Sequence, residues 1–88
     1  MEIKNIYYSS HFKKTFINLP SRIKKQAIEK EKIFRRSCFD RSLKTHKLKG
    51  GLTNYWSFSI NYSYRILFEF SEKNDAGFID IGTHSIYG

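Results

Sequence analysis

Eighty-eight residues make one domain, 1–88, and exclude two. Eight Phe, six Tyr and one Trp stock a small core, at roughly 150–250 Å² buried per ring, and exclude a disordered chain. The formal charge of +8 favours nucleic-acid phosphate or an acidic protein as partner, and the lone Cys38 excludes an internal disulfide and a Cys-x-x-Cys metal site.

The charge is unevenly spread. Residues 1–50 carry 14 Lys and Arg against 4 Asp and Glu, whereas residues 51–88 carry 2 against 4. The positive field therefore comes from the N-terminal part, where the plain alternative is a solvated lysine-rich helix face. "MEIKNIYYSSHFKK" lacks the basic start and apolar run of a signal peptide. No apolar run approaches the roughly 18–20 residues of a membrane span. The expectation is a soluble, cytoplasmic protein with no membrane partner.

"IKNIYYS" (3–9) is rich in β-branched and aromatic residues and reads as a short strand. Ser9 or Ser10 can cap a helix, and Phe12, Phe16 and Leu19 then form its apolar stripe. That helix should stop before Pro20, which suits the first turn of a second one. In the second helix Ile23, Ala27 and Phe34 share a face, with Ile28 beside it, and basic residues crowd the rest. The two form a helical hairpin. Residues 37–54 read as irregular and basic, with Gly50-Gly51 as a turn.

The remaining chain alternates. "YWSFSIN" places Trp56, Phe58 and Ile60 on one face, and "YRILFEF" places Tyr64, Ile66, Phe68 and Phe70 on one face and Arg65, Leu67 and Glu69 on the other. "NYS" is the tight connection between them. "SEKNDAG" reads as a polar turn. "FIDIGTH" then puts Ile79 and Ile81 on one face, and Phe78, Asp80 and His84 on the other. The expected order is β-α-α-β-β-β, an α+β domain whose helical hairpin packs on one face of an antiparallel sheet joined by the first strand.

The open face of that sheet offers Arg65 and His84, and His46, Lys47 and Lys49 precede the first strand of the meander. If the loop folds over the sheet edge, these groups converge into a phosphate site. Arginine binds phosphate with a planar fork of donors, and histidine moves protons near neutral pH. Lysines and the arginine can stabilise charge on a phosphorane-like transition state. RNA supplies its own nucleophile in the 2′-OH, and Tyr55, Trp56 and Tyr87 can stack on unpaired bases.

Each residue also has a plainer reading. His11 and His46 can be surface or structural, Arg65 can pair with Glu69, and Trp56 alternates with core residues, which leaves Tyr55 the better stacking candidate. The acids and three histidines fall in no familiar metal-ligand spacing, and no Gly-rich phosphate loop occurs. No metal or other cofactor is expected.

"LKTHKLKGGLTNYWSFSINYSYRILFEF" followed by "IDIGTHSIYG" resembles the RelE/ParE superfamily of type II toxin–antitoxin toxins, and within it the RelE/StbE, YafQ-like and YoeB-like branches. The words that carry the resemblance are "HKLKG", "YWSF", "YRI.FE" and "IGTH..Y". The resemblance implies a RelE-like fold and a metal-independent endoribonuclease that cleaves mRNA on the ribosome through 2′-OH attack. Its partners would be the ribosome, mRNA and a cognate antitoxin. It assigns Arg65 to the phosphate-binding arginine, His84 to the C-terminal catalytic position and His46 to the histidine of "H-x-L-x-G". Lys47 and Lys49 fall near RNA-contacting lysines, and Tyr87 near a C-terminal aromatic. "GTHSIY" is one residue shorter than the commoner "GTHxxxY". The superfamily also holds the ParE branch of non-enzymatic gyrase inhibitors, the alternative function.

Overall fold

The computed structural model describes residues 1–52 and 54–87, and the side chains of all of these but Leu52 and Tyr87. Strand β1 (Asn5–Tyr8) leads into α1 (Ser10–Ile17) and α2 (Ser21–Arg36). After an irregular segment come β2 (His46–Lys47), β3 (Trp56–Ser59), β4 (Arg65–Ser71) and β5 (Asp75–Gly82), and the chain closes on a short helical turn, His84–Tyr87. The sheet order is β1-β5-β4-β3-β2. The α+β class and the helical hairpin are as the sequence led us to expect.

Local chemistry sets the boundaries. The Ser9 hydroxyl accepts the Phe12 amide at 2.9 Å and caps α1, satisfying one of its orphan donors. Pro20 stands at the entrance to α2 and keeps α1 from continuing. Phe12 from α1 and Ala27 and Phe34 from α2 bury against the sheet. The Phe34 ring, fully buried, lies 4.7, 4.9 and 5.4 Å from the rings of Phe58, Phe68 and Phe78. Trp56 extends this cluster at its rim, edge-on to Phe70 at 5.1 Å and Phe39 at 5.6 Å. It serves the core, as its alternation suggested.

The segment read as irregular contributes a short edge strand, β2, which makes five strands where four were expected, and three further details differ from the sequence reading. First, the sheet is mixed, because β1 runs parallel to β5. The hairpin of helices lies between β1 and the meander and carries the chain across, which is how a parallel pair is connected. Second, Asp75–Gly77 belong to β5 and not to the preceding turn, since they pair with both β4 and β1. Third, Phe78 shares the core face with Ile81, at 1% and 0% exposure. The register shifts between Leu67 and Phe68, so that Leu67 faces Asp80 while Phe68 faces Phe78. Ile79 is the extra residue, and such a bulge reverses the alternation that the sequence implied.

Candidate functional site

The turn between β3 and β4 is built around Asn61. Its side-chain oxygen accepts the backbone amides of Ser63 and Tyr64, both at 2.8 Å. This orients the amide group, so that its nitrogen donates to Gln26 Oε1 of α2 at 2.7 Å. The Asn61 carbonyl in turn accepts Arg65 Nη1 at 2.7 Å, and the Tyr64 carbonyl accepts the same nitrogen at 3.3 Å. Arg65 is thus held by backbone dipoles. Among the described residues no carboxylate pairs with it, Glu69 included. A guanidinium anchored through one terminal nitrogen keeps its charge for an anion.

Arg65 faces Gly82 across the β4–β5 ladder. Two residues on, His84 opens the last helical turn, in which the Ile86 amide bonds the Thr83 carbonyl at 3.1 Å. A Cβ on Gly82 would lie 2.7 Å from Ile86 Cγ2, so glycine permits the turn to fold back over the strand. The result is a cleft of about 320 Å³ lined by Tyr62, Ser63, Arg65, Thr83 and His84. The structure brings Arg65 and His84 together.

The other predicted site residues are placed differently. His46 pairs with Ser57, in a row continued by Leu67 and Asp80, and so lies on the same face of the sheet as Arg65, where Ser57 and Leu67 are themselves buried. It does not line the cleft, and β3 intervenes. Two strand spacings and two residues along the strand put its Cα roughly 12 Å from that of Arg65. Its Nδ1 lies 3.0 Å from the Lys44 carbonyl, which can only accept. Nδ1 therefore carries the proton, and the exposed Nε2 is left as the basic atom. Lys47 pairs with Trp56 and points to the helix side of the sheet, away from Arg65. Lys49 is exposed beside the Gly50 turn, where Gly50 has φ +71°. Tyr55 is half-buried just before β3, and its carbonyl accepts the Leu48 amide at 3.0 Å. The side chain of Tyr87 lies outside the described residues.

Solved structures of the same shape are known. A YoeB/ParE toxin from Agrobacterium tumefaciens superposes with a TM-score of 0.79 at 18% identity, covering 92% of this chain and 99% of that one. The archaeal RelE–RelB complex from Pyrococcus horikoshii gives 0.72 at 15% identity, covering 94% and 96%. YafQ from Escherichia coli gives 0.68 at 17% identity, covering 93% and 94%. The chain has the RelE-like toxin fold. By sequence, no protein-family model and no curated protein matches it.

On this RelE-like scaffold lie features that sequence reasoning passed over. His11 Nε2 stands 3.1 Å from Asp80 Oδ1, which also accepts the Ile81 amide at 2.8 Å. Asp80 is diagonal to Arg65 on the open face, with Cα atoms about 7–8 Å apart. The separation of His11 from Asp80 by some 70 positions left no local signal. Tyr62 is the most exposed of the large hydrophobic side chains among the described residues, at 93%, and it lines the cleft. The word "NYSYR" held it in view, beside Arg65. Among the described residues no group of three or more His, Cys, Asp and Glu is arranged to hold a metal ion.

A second concavity of about 440 Å³ runs between α1 and α2. Phe12, Phe16 and Ala27 form its floor, and exposed Ile17 and Ile28 stand beside Lys13 on its rim. Glu31 lines it too, and accepts the Tyr8 hydroxyl at 2.9 Å. Burial first, and then the Glu31 carboxylate, push the Tyr8 hydroxyl above the ordinary tyrosine range. The two helices carry nine Lys and Arg, two in α1 and seven in α2, against Glu29 and Glu31. No helix among the described residues is long and apolar enough to cross a membrane.

Proposed function

We propose that this protein is the toxin of a type II toxin–antitoxin pair, a ribosome-dependent endoribonuclease that cleaves mRNA. The observation that carries this reading is the cleft in which an anchored Arg65, unpaired with any described carboxylate, meets His84. The RelE-like fold supports it. Arg65 binds the non-bridging oxygens of the scissile phosphate and stabilises the charge they gain. One histidine takes the 2′-OH proton as the oxygen attacks phosphorus. The bond to the 5′ oxygen breaks, that oxygen receives a proton from the other histidine, and a 2′,3′-cyclic phosphate remains. His84, beside Arg65, is one of the pair, and His46, with Nε2 outward on the same face, is its counterpart. Lys49 screens the backbone from the loop, and Lys47 contributes to the field. The reaction draws on no metal, and the ribosome places it in the cytoplasm.

The partner of this toxin is a cognate antitoxin. The Pyrococcus RelE was solved with RelB and a Staphylococcus aureus YoeB with YefM, the latter at 22% identity. The basic helices and the apolar groove between them suit an acidic, amphipathic segment that folds on binding.

Primer extension on a translated mRNA after induction tests the activity. Wild type should produce new 5′ ends, and Arg65→Ala and His84→Ala should remove both the cuts and the growth arrest while leaving the thermal melt unchanged. If both variants cut like wild type, the assignment is wrong. If wild type leaves mRNA intact and blocks gyrase supercoiling, the ParE-like reading replaces it.

A further inference from the structure

Tyr62 sits at the tip of the β3–β4 turn with 93% of its surface exposed, and it lines the cleft that holds Arg65. A single exposed tyrosine is ordinary on a protein surface. This one differs in its support. The backbone beneath it is immobilised by four hydrogen bonds of 2.7–2.9 Å: Asn61 to the Ser63 and Tyr64 amides, Asn61 to Gln26, and the Ile60 amide to the Tyr64 carbonyl. The same turn supplies the carbonyls that hold Arg65. An aromatic ring and a phosphate-binding fork are therefore presented from one rigid loop, three residues apart.

We propose that Tyr62 is a base-stacking subsite, taking the ring of an unpaired RNA base next to the phosphate held by Arg65. This rests on the reading of the cleft as an RNA site and adds to it the group that senses the neighbouring nucleotide. A ring face accepts any base, so stacking adds affinity and positions the strand. A pre-ordered turn loses little freedom when the base docks, which favours binding. Asn61 and Gln26 act as positioning residues, because they touch the turn and not the ligand.

The test separates the ring from the phosphate. A 2′-O-methyl tetranucleotide, which cannot be cut by 2′-OH attack, and the same oligonucleotide lacking one base are titrated into ¹⁵N-labelled full-length protein and followed by NMR. In wild type the intact oligonucleotide should bind about tenfold more tightly than the abasic one, with upfield shifts of the Tyr62 ring protons. Tyr62→Phe should keep that preference. Tyr62→Ala, whose solvent-exposed ring bears no core packing, should keep the fold and bind both oligonucleotides equally weakly. Arg65→Ala should lose both. A Tyr62→Ala variant that still prefers the intact oligonucleotide overturns the stacking subsite, and Arg65→Ala losing both would then leave the phosphate reading standing. If neither oligonucleotide shifts the cleft resonances of wild type, the stacking subsite falls, and the cleavage reading stands or falls on primer extension alone.

Discussion

Tyr8 shows how one hydroxyl ties a strand to a helix. It donates to both Glu31 oxygens at 2.9 Å, while Arg35 Nε approaches Oε2 at 3.4 Å. Burial and that carboxylate raise its pKa, so the folded chain holds the phenolic proton more tightly than the unfolded chain does. Its stabilising contribution is therefore fully present below the ordinary tyrosine pKa of about 10 and is lost as pH rises beyond it. Tyr8→Phe should be less stable than wild type at pH 8, and the gap should narrow by pH 11 in urea melts. A gap of constant size would show that the hydroxyl does not couple to folding. Arg65 makes the complementary case. Its place on the open face could be read from alternation, but not its partners, since the carbonyls that hold it belong to a turn whose geometry depends on Gln26 in a distant helix.

At the scale of elements, the last helical turn and β5 are coupled through one missing methyl group. Gly82→Ala would set a Cβ 2.7 Å from Ile86 Cγ2, closer than carbon atoms pack, so the Ile86 side chain or the His84–Tyr87 turn that carries it must shift. Displacing a proton-transfer group by about 1 Å can cost on the order of a hundredfold in rate. On the ribonuclease reading proposed above, Gly82→Ala should lose most mRNA cleavage in the primer-extension assay while its melting temperature falls only modestly. Retained cleavage would mean that the turn tolerates the shift. The bulge at Leu67/Phe68 acts at the same scale. It puts Phe78 into the core and leaves Asp80 on the open face near His11. Alternation along "FIDIGTH" could not reveal it, because an extra residue is defined only against the partner strand.

In the whole molecule, stability rests on few rings. Phe34 touches three other aromatic rings and has no exposure, so Phe34→Ala leaves a large cavity and should cost about 3–5 kcal/mol. Small domains hold only about 5–15 kcal/mol in all. The variant should unfold at a much lower urea concentration and be recovered in lower yield; a midpoint close to wild type would mean that the core can collapse around the gap. The remaining whole-molecule property is the division of charge. The helices present nine basic residues on one side, and the Arg65–His84 cleft lies at the opposite face of the sheet.

By itself the sequence determined the two helices and the main strands, a serine cap at position 9 or 10, the break at Pro20, the apolar stripes and the placement of Arg65 on the face away from the helices. These follow from nearest-neighbour chemistry and from periods of two and 3.6 residues. Tertiary structure alone decided which strand neighbours which, that β1 runs parallel to β5, and where the bulge falls. It also decided where the predicted residues stand: His84 lines a cleft with Arg65, His46 lies two strands away on the same face, and Lys47 turns to the helix side. Residues as far apart as Ile6 and Ala76 meet through sheet pairing, and pairing is set by the burial of the whole apolar face at once, a quantity that no local stretch contains.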